Sequence, residues 1–254
     1  GGANAHAGES TPPHQRGELM SEGHLLPRTA DPTDPLRLGV LISGSGSGLD
    51  ALLRHQQAAR ESGGCSHVTV VVISDKPDVK GLERAADFQV AAEVVPLPSR
   101  ADFDDATAWR HAHEDAVDTV LDAHEVELVV CSGYMRILTE RFLAPRLGRI
   151  VNIHPSPWGP DGALFPGAHG VRDLLAAGHP TAGASVHFVT PGVDDGPLIA
   201  TEETPVGPGE DEDALGARVR AEIEHRLYPA VIDAIAAGRV TFAGDRVRVH
   251  GGGP

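Results

Sequence analysis

From residue 36 onward, short and wholly apolar runs alternate with amphipathic stretches. Leu38-Gly39-Val40-Leu41-Ile42 is apolar at every position, the pattern of a strand covered on both faces. Residues 68–73, 91–97, 128–131 and 150–153 predict further strands. Between them, residues 49–59, 81–88 and 106–124 carry helical periodicity, the last with Trp109, Val117, Val120 and Leu121 as its apolar stripe. Strand and helix in strict alternation predict an α/β fold with a doubly wound, mostly parallel, Rossmann-like sheet. The C-terminal portion is more elaborate. It predicts a short helix over 171–177 closed by Gly178, and two strands, 184–189 and 198–202, in antiparallel arrangement. A largely helical stretch follows over 211–237, ending at Gly238, and then a hairpin over 240–249 around Gly244-Asp245.

Before residue 36 the periodicity is absent. Residues 1–35 are rich in Gly, Pro, His, Ser and Thr, which predicts a disordered tail ahead of one domain spanning 36–250. The histidines there, His6, His14 and His24, are too scattered to predict a metal site.

Composition narrows the class. With 254 residues, 41% hydrophobic and only 4% aromatic, the core must be aliphatic. No apolar run is long enough to span a bilayer and no charged-then-apolar leader precedes the tail, so the expected location is the cytoplasm. Two cysteines argue against a disulfide framework, and Cys131 in an apolar run predicts a buried thiol. A net charge of −15 disfavours nucleic-acid binding, because phosphate backbones are repelled. An anionic small substrate then depends on local donors such as helix N-termini, arginines and backbone amides.

Two motifs carry chemistry. Gly44-Ser45-Gly46-Ser47-Gly48 lies between the first strand and the first helix, where glycines admit a ligand to the backbone and amides attract anions. A dinucleotide fingerprint fails at its third glycine, which would fall at Leu49, although Asp75 after the second strand suits a ribose. No Gly-Lys-Ser/Thr follows, so a P-loop is excluded. A mononucleotide phosphate fits best, against the bland alternative of a ligand-free turn. The second motif is Asn152-Ile153-His154-Pro155-Ser156. Residues two apart in a strand share a face, so Asn152 and His154 point together at a strand end. Val193-Asp194-Asp195-Gly196-Pro197 offers two adjacent carboxylates, either of which suits as the imidazole's partner. Amide, imidazole and carboxylate together stabilise an oxyanion and move a proton, the two services acyl transfer needs. Metal binding is a poor alternative, because no further His or Cys at ligand spacing accompanies His154, although His169 and His187 could approach it in space.

These motifs resemble the folate-dependent glycinamide ribonucleotide formyltransferases of purine biosynthesis, over residues 38–249. Besides the pieces above, the resemblance rests on Gly81-Leu82-Glu83-Arg84-Ala85, Ser132-Gly133-Tyr134-Met135-Arg136-Ile137-Leu138, Pro166-Gly167, Ser185-Val186-His187-Phe188-Val189, and Glu224-His225 before Tyr228-Pro229. It implies 10-formyltetrahydrofolate as co-substrate, a phosphorylated ribosyl glycinamide as acceptor, and no metal. It also implies roles. Asn152, His154 and Asp194 would be catalytic, and Gly46, Ser47 and Gly48 would hold the substrate phosphate. Glu224 would contact the ribonucleotide. Arg110, Met135, Arg136, Ile137, Leu138, Thr190 and Val193 would bind folate.

The chain departs from the family's pattern in places. Gly48 stands where the family usually has Asn, Val171 where it has His, and Ala221 where it has a polar contact. The connection over 157–165 is longer than usual. The catalytic trio is untouched, so the departures bear on the acceptor. The nearest rival activities are hydrolysis of the formyl-folate and transfer to another amine. A nicotinamide-dependent oxidoreductase rests on the glycine loop and Asp75 alone, and a nucleotide sensor would leave the trio unexplained.

Overall fold

The computed structural model describes residues 25–252. Seven strands form the main sheet, in the order β3-β2-β1-β4-β5-β8-β9. The apolar runs supply the parallel part: β1 (Leu36–Ile42), β2 (His67–Ser74), β3 (Ala92–Val94), β4 (Leu128–Cys131) and β5 (Ile150–His154). Helices α1 (Ser47–Glu61), α2 (Lys80–Asp87) and α3 (Ala106–Ala123) connect them and cover the faces. The mostly parallel, doubly wound sheet read from the sequence is the observed one, with strand and helix ends shifted by a few residues.

Alternate side chains of β1 face opposite layers. Leu36, Leu38, Val40 and Ile42 join a cluster with Leu49, Leu52 and Leu53 of α1, and Leu41 joins a second cluster with Val117, Val120 and Leu121 on α3. Each such aliphatic side chain contributes about 1.5–3 kcal/mol on burial. At Gly39 an added Cβ would meet Leu121 Cδ2 at 2.8 Å, so glycine lets α3 lie close on the sheet.

Past β5 the chain makes a small hairpin, β6 (Trp158–Gly159) with β7 (Gly162–Ala163), inside the long connection. Two short helices, α4 (Glu140–Leu143) before β5 and α5 (Gly170–Ala176) after β7, flank this region. Strands β8 (Thr181–Phe188) and β9 (Leu198–Pro205) then close the sheet antiparallel, as their pattern predicted. The expected C-terminal helix is interrupted: α6 (Glu212–Val219) passes through a π-helical turn, Arg220–Glu224, into α7 (His225–Ala236). Hairpin β10 (Val240–Ala243) and β11 (Arg246–Val249) follows.

The predicted tail needs correction over residues 25–35. Leu26 is buried, the Leu25 and Ala30 amides donate to the carbonyls of Leu147 and Ala236, and Arg28 pairs with Glu127 at 2.6 Å. Composition suggested disorder, but one buried leucine and one partly buried ion pair bind this segment to the domain. Residues 1–24, with His6, His14 and His24, lie outside the described residues.

Candidate active site

The sheet reverses direction of winding at β1 and β4, and the crevice beyond their C-terminal ends is where such folds place ligands. Three segments meet there. The glycine loop leaves β1, residues 132–139 leave β4, and Asn152 and His154 end β5.

The glycine loop is fixed by backbone contacts. Gly46 caps α1 with φ 67°, and an added Cβ there would lie 2.5 Å from Gly81 Cα. Gly81 N–H donates to Gly44 O at 3.0 Å, and Arg84 Nε donates to Ser45 O at 2.8 Å. Gly48 lies against Ser132, whose Oγ would be 2.6 Å from an added Cβ. The loop is thus a helix N-terminus with a cation, Arg84, beside it. His225 feels the charges of Arg220, Asp50 and Arg84, and burial lowers its pKa. Burial raises the Glu224 pKa to about 7, opposed by Arg220. Arg84 and His225 were not singled out from sequence. Only their position on neighbouring helices, close in space to the loop, brings them in.

Residues 132–139 have no regular structure, so side chains hold them. Met135 N–H donates to Ser43 Oγ (2.9 Å), and the Tyr134 hydroxyl meets His113 Nε2 (2.7 Å). Thr139 gives both its amide and its hydroxyl to Glu114, and Arg136 Nε donates to the fully buried Asp75 at 2.7 Å. Asp75 therefore grips an arginine here, which differs from the ribose role weighed for it.

Two adjoining pockets share Arg136, Ile137 and Leu138. One, of about 170 Å³, is also lined by Trp109, Arg110 and Met135. The other, of about 150 Å³, adds Asn152, His187, Thr190, Val193 and Asp194. Met135, Ile137 and Val193 expose large apolar surface. The expected folate residues thus meet in one groove that joins apolar surface to arginines, while Gly46, Ser47, Gly48 and Glu224 line neither pocket.

At the inner end, Asn152 lies opposite His187 on β8, and His154 opposite Ser185. The Asn152 carboxamide has no hydrogen bond to the described residues and faces the groove. His154 is buried. Its Nδ1 lies 3.4 Å from Asp194 Oδ2, and its Nε2 2.7 Å from the carbonyl of Phe165. Both nitrogens face acceptors, an arrangement suited to the imidazolium, which has two donors. Asp194, and not Asp195, is the partner. Asp195 is exposed and turned toward Thr190.

Asp194 sits at φ 50°, a conformation that other contacts must hold. The long connection does so. Ala163 N–H donates to Asp194 O (2.8 Å), and Gly167 N–H to Asp194 Oδ2 (2.9 Å). Residues 157–167 are therefore a clasp on the carboxylate. Trp158 packs on His187 at 5.0 Å between ring centroids.

Comparison with known proteins follows the same lines. The formyl transferase family profile matches residues 36–232. The phosphoribosylglycinamide formyltransferase of Mycobacterium tuberculosis is 38% identical over 218 residues, covering 86% of this chain and 93% of that protein. The Escherichia coli protein of the same name is 37% identical over 205 residues, covering 81% and 89%. The trifunctional purine biosynthetic protein adenosine-3 of Drosophila melanogaster is 38% identical over 203 residues, but the chain spans only 14% of its length. Among solved structures, glycinamide ribonucleotide transformylase 1 from Symbiobacterium toebii superposes with a TM-score of 0.73 at 40% identity, covering 85% of this chain and 94% of that one.

Proposed function

The chain belongs to the formyl transferase family, and on that premise we propose that it moves a formyl group from 10-formyltetrahydrofolate to the amine of 5-phosphoribosylglycinamide, in purine biosynthesis. It is a transferase, and its family implies a folate co-substrate and a phosphoribosyl substrate. The observation that carries the reading is that Asn152 and Asp194 line an apolar groove continuous with Arg110 and Arg136, with the buried His154 directly behind Asp194, 3.4 Å away. Apolar walls and guanidinium groups suit a flat heterocycle with a carboxylate tail.

In this reading the amine attacks the formyl carbon, and negative charge builds on the formyl oxygen. The Asn152 carboxamide donates to that oxygen. His154 does so through Nε2–H, which exchanges the Phe165 carbonyl it meets at 2.7 Å in this structure for the formyl oxygen. One such donor is typically worth about 10²–10³ in rate. Asp194 holds the imidazole in its orientation, and relays a proton from the attacking amine towards the leaving nitrogen. At the neighbouring strand end, the amides of Gly46, Ser47 and Gly48, with Arg84, hold the phosphate and so place the amine. Glu224, with a pKa near neutrality, contacts the ribose. The chemistry uses no metal at this site. No helix among the described residues is long and apolar enough to cross a membrane.

The test is an assay of the purified chain with 10-formyltetrahydrofolate, with and without the glycinamide ribonucleotide. Formylated ribonucleotide appearing only when both are present supports the proposal. Formate released without the acceptor selects the hydrolase, and turnover of neither substrate removes both.

A further inference from the structure

A second cluster of chemistry-bearing side chains lies outside the active-site groove. His55 on α1, His67 at the start of β2 and Asp233 on α7 each place one ligand atom within 4.8 Å of the others, the single such group among the described residues. His55 Nε2 lies 2.8 Å from Asp233 Oδ2, and His67 Nε2 lies 2.7 Å from Asp233 Oδ1. His67 is fully buried, whereas His55 and Asp233 are partly open to solvent. The formyl-transfer reading uses none of the three.

We propose that His55, His67 and Asp233 form a binding site for a borderline divalent cation such as Zn²⁺, one that joins α1, β2 and α7. Two imidazoles and a carboxylate are a donor set for such ions, with a fourth position left to water. The ligand atoms stand closer together than in a metal shell, so the side chains open by a few tenths of an ångström on binding.

The surroundings prepare His67 for this. The Gln56 side chain is 2.9 Å from His67 Nδ1 and is itself held by the Thr69 hydroxyl. A carboxamide serves either tautomer. Turned one way its NH₂ donates to Nδ1; turned the other way its oxygen accepts from Nδ1–H and frees the Nε2 lone pair for a metal. Such outer partners orient metal-bound histidines.

The experiment is calorimetric titration of the EDTA-stripped full chain with Zn²⁺, with melting temperature as a second readout and Co²⁺ absorption as a third. The wild type is expected to take up one equivalent through this cluster, to melt higher with Zn²⁺, and to give the intense visible bands of four-coordinate Co²⁺. In His55→Gln and Asp233→Asn, affinity at this cluster should fall by at least about tenfold and the melting shift should vanish. His55→Gln changes a partly exposed side chain, so the test survives if Asp233→Asn misfolds. Absence of Zn²⁺ binding, or equal binding and equal melting shifts in wild type and His55→Gln, overturns the proposal. In the latter case the ion sits on other histidines.

Discussion

His187 Nε2 faces Asp194 Oδ1 across 3.8 Å, buried and without a hydrogen-bond partner among the described residues. The other ring nitrogen, Nδ1, is 2.9 Å from the Phe188 carbonyl and donates to it. Burial lowers the pKa of His187, so the ring is neutral and Nε2 carries a lone pair. Two acceptors at this spacing call for a donor between them, a water O–H or a substrate N–H. Beside a carboxylate that relays a proton, that donor is well placed to be the attacking amine. His187→Asn is expected to lower kcat by about tenfold, less than the roughly 10²–10³ lost with a direct oxyanion donor. Folate affinity should hardly change. Steady-state kinetics decide it, and a wild-type kcat in the variant would remove His187 from the reaction.

For the trio itself the expectation is steeper. His154→Ala removes one donor to the developing charge, and Asp194→Asn leaves the imidazole without its counter-charge. Each should reduce kcat by about 10²–10⁴. Folate binding, which rests on residues 135–138 and 190–193, should stay near wild type by fluorescence titration. Substantial turnover by either variant would sink the mechanism.

Asp75 and Arg136 make a prediction about folate. The Asp75 side chain is wholly inside the protein, its Oδ1 has no partner among the described residues, and its Oδ2 aims the Arg136 side chain toward both pockets. Asp75→Asn keeps the shape and weakens the charge-assisted bond. Such bonds contribute about 1.5–3 kcal/mol, so the KM for the folate should rise by about tenfold with kcat little affected. A parallel fall in kcat would instead mean that Asp75 supports the whole segment over 132–139.

The centre of the sheet was legible because strands buried on both faces, β1 and β4, read as unbroken apolar runs, whereas β3 at the edge is exposed throughout. Asn152 and His154 were legible for a related reason: period two places them on one face of β5. The residues by themselves left Asp194 and Asp195 open and the resemblance chose Asp194; the physical reason for that choice, a φ of 50° held by residues 157–167, lies across the chain. Arg84 and His225 were given no role because their neighbours lie far away in sequence. Residues 25–35 escaped because a short segment can be held by a few contacts that composition averages away. The π turn at Arg220–Glu224 left no pattern that a 3.6-residue period detects.

Gly46 makes a different kind of prediction, about stability. Its φ of 67° disfavours any L side chain, and an added Cβ meets Gly81 backbone at 2.5 Å. Gly46→Ala should cost at least about 1–2 kcal/mol from the left-handed conformation alone. Denaturant unfolding measures that directly. A bulkier change such as Gly46→Val therefore disturbs the fold as well as any phosphate, and Ser47→Ala is the cleaner probe of acceptor KM.

Glu224 links the site to pH. Burial raises its pKa from 4.5 to about 7, against the opposing pull of Arg220. The folded state thus holds a proton that the unfolded state releases near pH 4.5. Stability is at its full value below that pH and declines as pH rises through about 7, by up to about 3 kcal/mol from this group. Glu224→Gln cannot lose the proton. Its stability relative to wild type should therefore be flat below about pH 4.5, rise between pH 4.5 and 7, and level off above. Urea unfolding of both proteins at pH 5 and pH 8 measures the difference. If Glu224→Gln gains nothing at pH 8 over pH 5, the carboxyl is not held near neutrality, and its contact with the ribose must be made as a full anion.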